Sequence, residues 1–330
     1  MSPIPATSSA VIDLTTGDVV PETLADSVRR TLASTPQRWL SPKWFYDDLG
    51  SALFDAITRL PEYYPTARER TILDERAAEI AERSGADTLI ELGSGTSEKT
   101  RILLDAFTEA GTLRRFCPLD VSGTTLAAAA ASIEDAHPGL EVHPVVGDFL
   151  HDLHRVPTGG RRLVVFLGST LGNLTPIEQT RFLSRVAGTL APGDGLLLGT
   201  DLVKDTDRLL AAYDDPIGVT AAFNRNVLAV INRELDADFD LRRWAHEARW
   251  DPDRERIEMH LVSTRDQRVS IPGADLEIEV DQGESIQTEI SAKFRLDTLA
   301  PLLVGAGMDL DRSWTDPDGD FALSLATVPT

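Results

Sequence analysis

Short apolar runs alternate with helical patterns between residues 66 and 202, and this alternation restricts the fold more than any other feature. The predicted strands are 88–91, 115–119, 141–146, 162–169 and 195–202. The fourth, RLVVFLGS, is a continuous apolar run, as expected for a strand buried on both faces. Strands that alternate with helices build parallel sheets through right-handed crossovers. We therefore predict an α/β fold with a doubly wound sheet.

Capping signals mark the start of two helices. Thr66 and Glu69 have the spacing of a capping box at the head of a helix predicted over 66–84. Thr175 and Glu178 have the same spacing, with a proline between them at the first helical position. Each pair predicts an N-terminus at which the two side chains satisfy free backbone N–H groups.

The end of the chain predicts a helix in FRLDTLAPLLVGAGM and then a hairpin from DLDRSWTDP to DFALSLATV. This hairpin would complete a seven-stranded sheet. Residues 202–293 form an insertion that begins helical and becomes strand-rich. We predict that 21–67 and 202–293 form a second, α+β substrate-binding domain over the carboxyl edge of the sheet. The sheet domain would then comprise 68–201 and 294–330.

Composition excludes several classes of function. The formal charge is −21, with 53 acidic and 32 basic residues, so a phosphate backbone would be repelled and no nucleic acid is expected. The same charge also serves solubility. No apolar run reaches the roughly 18 residues of a membrane helix. Residues 1–20 lack the pattern of a secretory signal and predict a flexible tail. With one cysteine, Cys117, the chain is expected to be cytoplasmic, and we expect a monomer.

The turn in TLIELGSGTSEKTR does not fit the two commonest phosphate-binding loops. After Gly93 and Gly95, the third glycine of a nicotinamide fingerprint is replaced by Glu98. The lysine and threonine of GTSEKT lack the preceding glycine of a nucleotide-triphosphate loop. The turn therefore suits a ligand without a pyrophosphate, and an oxidoreductase is disfavoured.

Acidic residues end three successive predicted strands. These are Glu91, Asp120 and Asp148, and Phe149 follows the last. Ligands of open α/β sheets bind in the crevice at such strand ends. Asp120 is placed to accept hydrogen bonds from ribose hydroxyls, and Asp148 with Phe149 can bond and stack a purine. The alternative is that the acids only cap turns.

This pattern resembles the class I S-adenosylmethionine-dependent methyltransferases. The resemblance implies that the carboxylate of the cofactor lies at the glycine turn and the following helix start. Lys99 could add a charge-assisted contact there. S-adenosylhomocysteine would be the product, and no metal is required.

The acceptor side is indicated by Asn173 and by aromatic residues. Asn173 follows the fourth strand in a stretch predicted to be non-helical, where it either binds an amine or carboxylate or is simply a turn asparagine. Seven aromatics lie between positions 39 and 64: Trp39, Trp44, Phe45, Tyr46, Phe54, Tyr63 and Tyr64. They could form a helical core, or an aromatic lid over a cationic methylated amine.

Six stretches carry a more specific resemblance. They are SPKWFYDDLGSALFDAITRLPEYYPT, IELGSGTSEKTR, VVFLGSTLGNLTP, LLLGTDLVKD, AYDDPIGVTAAFNRNVLAVINREL and WTDPDGDFALSLA. Together they resemble the histidine-specific Nα-methyltransferases of ergothioneine biosynthesis. That resemblance implies conversion of L-histidine to its trimethylated betaine, hercynine, with three molecules of S-adenosylmethionine.

The same resemblance implies roles for individual residues. Tyr63 would contact histidine, and Asn173 would hold its α-amino and carboxylate end. We expect these two residues to be the catalytic pair that orients the amine. Tyr213 would help to anchor the carboxylate. Glu289 and Ser291, with Ile290 between them, would form the imidazole site. The cofactor residues would be Gly93, Lys99, Asp120, Asp148 and Phe149.

The spacing of Glu289 and Ser291 supports this reading independently. Residues two apart on a strand share a face, and a carboxylate with a hydroxyl matches the two nitrogens of imidazole. A solvated strand face is the alternative. Rival functions are Nα-methylation of another amino acid such as tryptophan, a nucleic-acid methyltransferase and a non-enzymatic cofactor sensor. The charge disfavours the nucleic-acid enzyme, and the paired polar residues disfavour an indole substrate.

Overall fold

The computed structural model of the chain describes residues 12–13, 22–34, 36–95, 97–150, 152–153, 156 and 158–330. The strands are β1 (Ile12–Asp13), β2 (Arg38–Trp39), β3 (Thr88–Leu92), β4 (Arg115–Asp120), β5 (Glu141–Val142), β6 (Val145–Val146), β7 (Arg162–Phe166), β8 (Gly195–Asp201), β9 (Trp244–Asp251), β10 (Arg256–Ser263), β11 (Gln267–Ile271), β12 (Leu276–Val280), β13 (Ser285–Ala292), β14 (Asp309–Thr315) and β15 (Phe321–Thr327). The α-helices are α1 (Leu24–Leu32), α2 (Asp48–Ile57), α3 (Tyr64–Ser84), α4 (Thr100–Glu109), α5 (Gly123–Ala136), α6 (Pro176–Thr189), α7 (Thr206–Tyr213), α8 (Val219–Leu235) and α9 (Leu296–Gly305).

The main sheet confirms the predicted α/β class. Its order is β1-β6-β4-β3-β7-β8-β15-β14, with β5 also beside β4. In this spatial order, every neighbouring pair from β1 through to β8 is parallel, and β5 is parallel to β4. Strand β15 runs antiparallel to both β8 and β14. The chain therefore ends in the hairpin that the sequence predicted. The carboxyl ends of the parallel strands lie along one edge of the sheet.

The predicted third strand is interrupted at its centre. It was expected over 141–146, but the structure has two short pieces, β5 and β6, on either side of Pro144. Proline has no backbone N–H to donate to a neighbouring strand, so the pairing breaks there. Counted as one strand, β5 and β6 complete seven. The unpredicted β1 is an addition within the predicted tail, and the remainder of 1–20 lies outside the described residues.

One of the two predicted capping boxes is wrong. Helix α3 begins at Tyr64, before Thr66, and Glu69 is completely buried inside the fold. The carboxylate of Glu69 contacts Lys99 and accepts from the Gly168 N–H instead of capping the helix. The box of Thr175 and Glu178 is confirmed, with both reciprocal hydrogen bonds formed.

A second, four-stranded sheet has the order β2-β13-β10-β9. Strand β2 comes from the region before α2, and it pairs in parallel with β13 of the insertion. Helix α2 packs on α8, and the ring of Phe45, which precedes α2, lies 4.7 Å from the ring of Phe223 in α8. Strand β9 was not predicted, because charged residues separate its few apolar ones. Residues before α3 and residues of the insertion thus share one hydrophobic core.

The two sheets meet where β13 leads back into the main sheet. The Phe294 N–H donates to the Asp201 carbonyl at 2.8 Å, beside the end of β8. A short 3-10 helix, Thr170–Asn173, follows β7 and lies against β13. A Cβ at Gly172 would come within 2.7 Å of the Ala292 carbonyl oxygen, so a glycine is required for this approach. The close contact places Asn173 beside Glu289.

Candidate active site

The glycine turn after β3 has an open backbone. Gly93 and Gly95 have φ of 67° and 50°, a conformation that favours glycine. A Cβ at Gly93 would meet only the Phe149 ring, at 3.9 Å, and one at Gly95 would have no heavy atom of the described residues within 4 Å. A ligand can therefore approach the backbone of this turn closely.

Asp120 ends β4 beside this turn and helps to shape it. One carboxylate oxygen accepts from the Gly95 N–H at 2.8 Å, and the other accepts from the Ser122 N–H at 2.9 Å. A carboxylate has lone pairs for further donors, and Asp120 is only half-buried. It can both hold the turn and accept hydrogen bonds from a ligand.

Asp148 and Phe149 lie on the other side of the same edge. The Asp148 carboxylate accepts from the Leu150 N–H at 2.8 Å. The Phe149 ring packs edge-on against Phe166 at 5.2 Å and Phe182 at 5.8 Å, and it also faces Gly93. The structure therefore brings the sequence-predicted cofactor residues together at the carboxyl ends of β3, β4 and β6.

Glu91 lies under the glycine turn, as expected of an acid that ends the strand before it, and does not line the crevice with Asp120 and Asp148. It is buried, and its carboxylate accepts from Ser97 at 2.9 Å and from Thr100. Burial raises its pKa to about 7, against the lowering effect of these hydroxyl donors. Glu91 supports the turn from beneath, where a ligand would not contact it.

Lys99 lies immediately before α4 and forms an ion pair with Glu69. The Glu69 carboxylate also accepts from the Gly168 N–H, at 2.8 and 3.1 Å to its two oxygens. This one side chain therefore ties α3 to both the start of α4 and the loop after β7. Sequence reasoning missed Glu69 because the capping-box spacing gave it another role.

The residues predicted to hold the substrate lie close to one another, apart from Ile290. We call Tyr63, Asn173, Tyr213, Glu289 and Ser291 the acceptor cluster. The Tyr63 and Tyr213 rings are 6.1 Å apart, and the Tyr213 and Ser291 hydroxyls are 2.8 Å apart. The Asn173 amide donates to Glu289 Oε1 at 3.2 Å, across the junction of the two sheets.

Burial perturbs the titratable groups of the acceptor cluster. It raises the pKa of Glu289 to about 7, while Lys293 and the Asn173 amide act in the opposite direction. Burial and the nearby Tyr213 and Glu289 raise the pKa of Tyr63 well above its ordinary value. Tyr63 is therefore a neutral phenol at physiological pH, and Glu289 changes charge near neutrality.

Ile290 is the exception among the predicted substrate residues. Successive strand residues point to opposite faces, so the Ile290 side chain faces away from Glu289 and Ser291. It lines a separate groove together with Leu174, Pro176 and Pro252. Only the backbone of Ile290 stays close to the acceptor cluster.

The aromatic residues between positions 39 and 64 were expected to form either a helical core or an aromatic lid, and the structure has some in each environment. Phe45 is fully buried in the core. The Tyr64 hydroxyl donates to Asp201 at about 3 Å and is likewise structural. Tyr63 is half-buried and Tyr46 is 46% exposed. Partial desolvation and the nearby Glu289 carboxylate raise the pKa of Tyr46 above its ordinary value. Tyr46 and Tyr63 therefore face the cleft that holds the acceptor cluster.

Lys293 is a buried residue that sequence reasoning missed. Its ammonium lies 2.8 Å from Asp201 Oδ2 and donates to Tyr213 and Ser291. Lys204 also pairs with Asp201. The period-two spacing of Glu289, Ser291 and Lys293 is the signal that could have identified Lys293.

Fold and site together define a class I S-adenosylmethionine-dependent methyltransferase. Residues 24–328 match the family described as "Histidine-specific methyltransferase, SAM-dependent". The chain belongs to this family.

Curated relatives agree with the family match. The histidine N-alpha-methyltransferase of Mycolicibacterium smegmatis is 60% identical over 87% of this chain and 89% of its own length. The protein of the same name from Mycobacterium tuberculosis is 58% identical over the same shares. Ergothioneine biosynthesis protein 1 of Neurospora crassa is 31% identical over 82% of this chain, which corresponds to 31% of that protein.

Among the described residues, no helix combines the length and apolar character needed to cross a membrane. Two residues separate His151 from His154, a weak metal-ligand spacing in the sequence, and both histidines lie outside the described residues.

Proposed function

We propose that this chain transfers methyl groups from S-adenosylmethionine to the α-amino nitrogen of L-histidine. Three transfers would give hercynine, in ergothioneine biosynthesis. The observation that carries the proposal is the contact of Asn173 with Glu289, because it joins an amide next to the cofactor edge to a carboxylate suited to imidazole. The identity to two histidine N-alpha-methyltransferases supports histidine over tryptophan.

The cofactor edge fits S-adenosylmethionine. Gly93 and Gly95 leave the backbone open to its carboxylate end, and the Lys99 ammonium, although paired with Glu69, has further N–H protons to donate nearby. Asp120 has lone pairs for ribose hydroxyls, and Asp148 with Phe149 offers an acceptor and an aromatic ring for adenine. When bound, the cofactor supplies a methyl group on a cationic sulfonium, which an amine can attack.

The acceptor cluster would hold histidine by both ends. Glu289 and Ser291 would bind the imidazole ring, and burying this pair would reject side chains that lack matching groups, by up to ~10⁴-fold. Asn173 and Tyr63 would orient the amine and exclude water around it. Since Tyr63 stays a phenol, it would accept an amine N–H rather than remove the proton as a phenolate. The amine must arrive unprotonated, and its protons would leave to solvent.

The separate sites for the cofactor and for histidine imply two domains. We propose that residues 21–67 and 202–293 act as the substrate-binding domain, because they build the second sheet and its helices. Residues 68–201 and 294–330 would bind the cofactor. Histidine would then lie between the loop after β7 and strand β13.

Calorimetry with single-site variants tests the proposal. Glu289→Ala should weaken histidine binding by about 10–100-fold, the range expected for losing a charge-assisted hydrogen bond, and leave the affinity for S-adenosylhomocysteine unchanged. Glu279 is an exposed carboxylate on β12, the strand before β13 in the sequence, and Glu279→Ala is the matched control that should change neither affinity. Equal loss of both affinities in Glu289→Ala would contradict the proposed ring site.

A further inference from the structure

The Glu69 carboxylate is a completely buried charge held among four parts of the fold. It belongs to α3, and it accepts from the Gly168 N–H with Oε1 at 2.8 Å and Oε2 at 3.1 Å. A Cβ at Gly199 in β8 would overlap Oε1, so a glycine is needed there to make room. Lys99, before α4, forms an ion pair with the same carboxylate. Glu69 is therefore fixed in place and cannot itself contact a ligand.

Lys99 is partly exposed, whereas its counter-ion is enclosed. The Lys99 side chain is 24% exposed, and the Glu69 side chain has no exposed surface. A Cβ at Gly168 would lie 3.8 Å from Lys99 Nζ, so the ammonium also lies beside the loop after β7. An ammonium has three protons, and the pair with Glu69 uses one of them. Protons remain for a ligand carboxylate, but the charge of Lys99 is already balanced.

This balance determines how strongly Lys99 attracts a second carboxylate. A carboxylate that approaches Lys99 is attracted by the ammonium and repelled by the Glu69 charge. Charges that are partly withdrawn from water interact more strongly than charges in bulk solvent. If Glu69 were neutral, the free protein would contain an uncompensated ammonium. A ligand carboxylate would then supply the missing counter-ion, so it would bind more tightly.

We propose that Glu69 is a built-in counter-ion that weakens the hold of Lys99 on the carboxylate of the cofactor. This inference rests on the cofactor contacts of the proposed function, and it does not depend on which amine accepts the methyl group. Donor and product share this carboxylate. Each transfer leaves S-adenosylhomocysteine in the site, where it must be exchanged for a fresh donor. A weakened hold on the shared carboxylate favours that exchange.

The opposite role for Glu69 is to strengthen the hold by orienting Lys99 toward the carboxylate. The two roles differ in sign, so the measurement must isolate the carboxylate from the rest of the cofactor. S-adenosylhomocysteine and S-adenosyl-3-thiopropylamine differ only in this group, because the second compound keeps the ammonium and lacks the carboxylate. We call the ratio of the affinities for these two compounds the carboxylate preference.

Calorimetry of the full chain at low salt, without histidine, measures the carboxylate preference of each variant. Glu69→Gln should raise it about tenfold above wild type, because one elementary charge beside a partly buried pair changes an affinity by roughly that factor. Lys99→Met should lower it below wild type, since Glu69 then only repels the carboxylate. The double variant has neither charge and should fall between the two single variants.

Glu75 provides a matched control in the same helix. Its side chain is 50% exposed, and Glu75→Gln removes one negative charge at a position screened by solvent. This variant should keep the wild-type carboxylate preference. A rise equal to that of Glu69→Gln would assign the effect to overall charge and overturn the inference.

A lowered or unchanged carboxylate preference in Glu69→Gln would also overturn the counter-ion role. Glu69→Met fills a similar space without a charge, should show the same rise, and serves as the test if Glu69→Gln does not fold. A wild-type preference retained in Lys99→Met would overturn the inference too, because Lys99 would not contact the carboxylate. In all these cases wild type still binds S-adenosylhomocysteine. Its failure to bind would instead overturn the proposed function together with this inference.

Discussion

In the proposed function, Glu289 is the residue on which substrate recognition depends most. Its carboxyl is half-buried beside Asn173, and burial raises its pKa to about 7. It is therefore mainly protonated at pH 6 and mainly ionised at pH 8. Only the ionised form accepts a ring N–H with both oxygens free of protons. Histidine binding should thus weaken as the pH falls through 7.

Histidine binding by wild type and Glu289→Gln, measured over a range of pH, tests this predicted direction of the pH dependence. The free imidazole ring has an ordinary pKa of about 6.5, so below that pH wild type must release the Glu289 proton as well as the ring proton to pair an ionised carboxylate with a neutral ring. The glutamine variant must release only the proton of the ligand. The dissociation constant for histidine, measured by calorimetry from pH 5.5 to 8.5, should rise more steeply toward acid in wild type. Equal slopes would show that Glu289 does not titrate in the site.

Asp120 makes a prediction for the cofactor. Asp120→Ala removes the acceptor of the Gly95 N–H and the proposed ribose contact, so the affinity for S-adenosylhomocysteine should fall by about 10–100-fold. Asp120→Asn keeps one acceptor oxygen and should lose less. Titration of the cofactor product by calorimetry distinguishes the three proteins. An unchanged affinity in Asp120→Ala would remove Asp120 from the site.

At the scale of elements, prediction from the sequence failed where the local pattern allowed one residue two roles. Regular features were predictable: Thr175 caps α6, and the apolar runs became β7 and β8. Glu69 was misread because capping spacing is a local signal, and its partner Lys99 lies across a helix–helix contact. The ion pair therefore became visible only once α3 and α4 were packed together.

A double-mutant cycle measures the tie between α3 and α4. Lys99→Met leaves the Glu69 carboxylate buried with the Gly168 N–H as its remaining donor, and should lower the free energy of unfolding by about 3 kcal/mol. Adding Glu69→Gln removes that uncompensated charge and should restore part of the loss. Urea denaturation of both single variants and the double variant gives the coupling. Simple additivity would mean that the pair does not join the helices.

Two helical glycines predict opposite effects of the same substitution. A Cβ at Gly50 in α2 would lie 1.7 Å from the Phe45 carbonyl oxygen, so Gly50→Ala should destabilise the fold by about 3 kcal/mol. Gly188 in α6 has no heavy atom of the described residues within 4 Å of that point, and Gly188→Ala should stabilise by roughly 0.5 kcal/mol. Unfolding in urea compares them. A neutral Gly50→Ala would contradict the tight packing of α2.

At the scale of the whole molecule, the sequence predicted the architecture better than the site. Alternating strands and helices sufficed for the parallel sheet, and the turn residues after Thr315 sufficed for the final hairpin. Most members of the acceptor cluster were predicted only from the resemblance to the histidine-specific methyltransferases. Lys293 and Asp201 were not predicted, because they lie far apart in the sequence and meet where the two sheets join.

The overall charge makes a prediction for the cofactor as well. S-adenosylmethionine carries one more positive charge than S-adenosylhomocysteine, and the chain carries −21. The field of the protein should therefore favour the donor over its product at low salt. Raising the ionic strength from about 0.01 to 1 M shortens the screening length about tenfold, and should lower the donor-to-product affinity ratio by roughly threefold. A donor-to-product affinity ratio that does not change with salt would show that local contacts, and not the overall charge, set the preference for the donor.

The central claim is that histidine is the amine acceptor. The most direct measurement incubates the chain with S-adenosylmethionine and each amino acid in turn, and follows the products by mass spectrometry. We expect histidine alone to gain methyl groups, up to three on its α-nitrogen, with release of S-adenosylhomocysteine. Methylation of tryptophan or another amino acid while histidine stays unmodified would contradict the account.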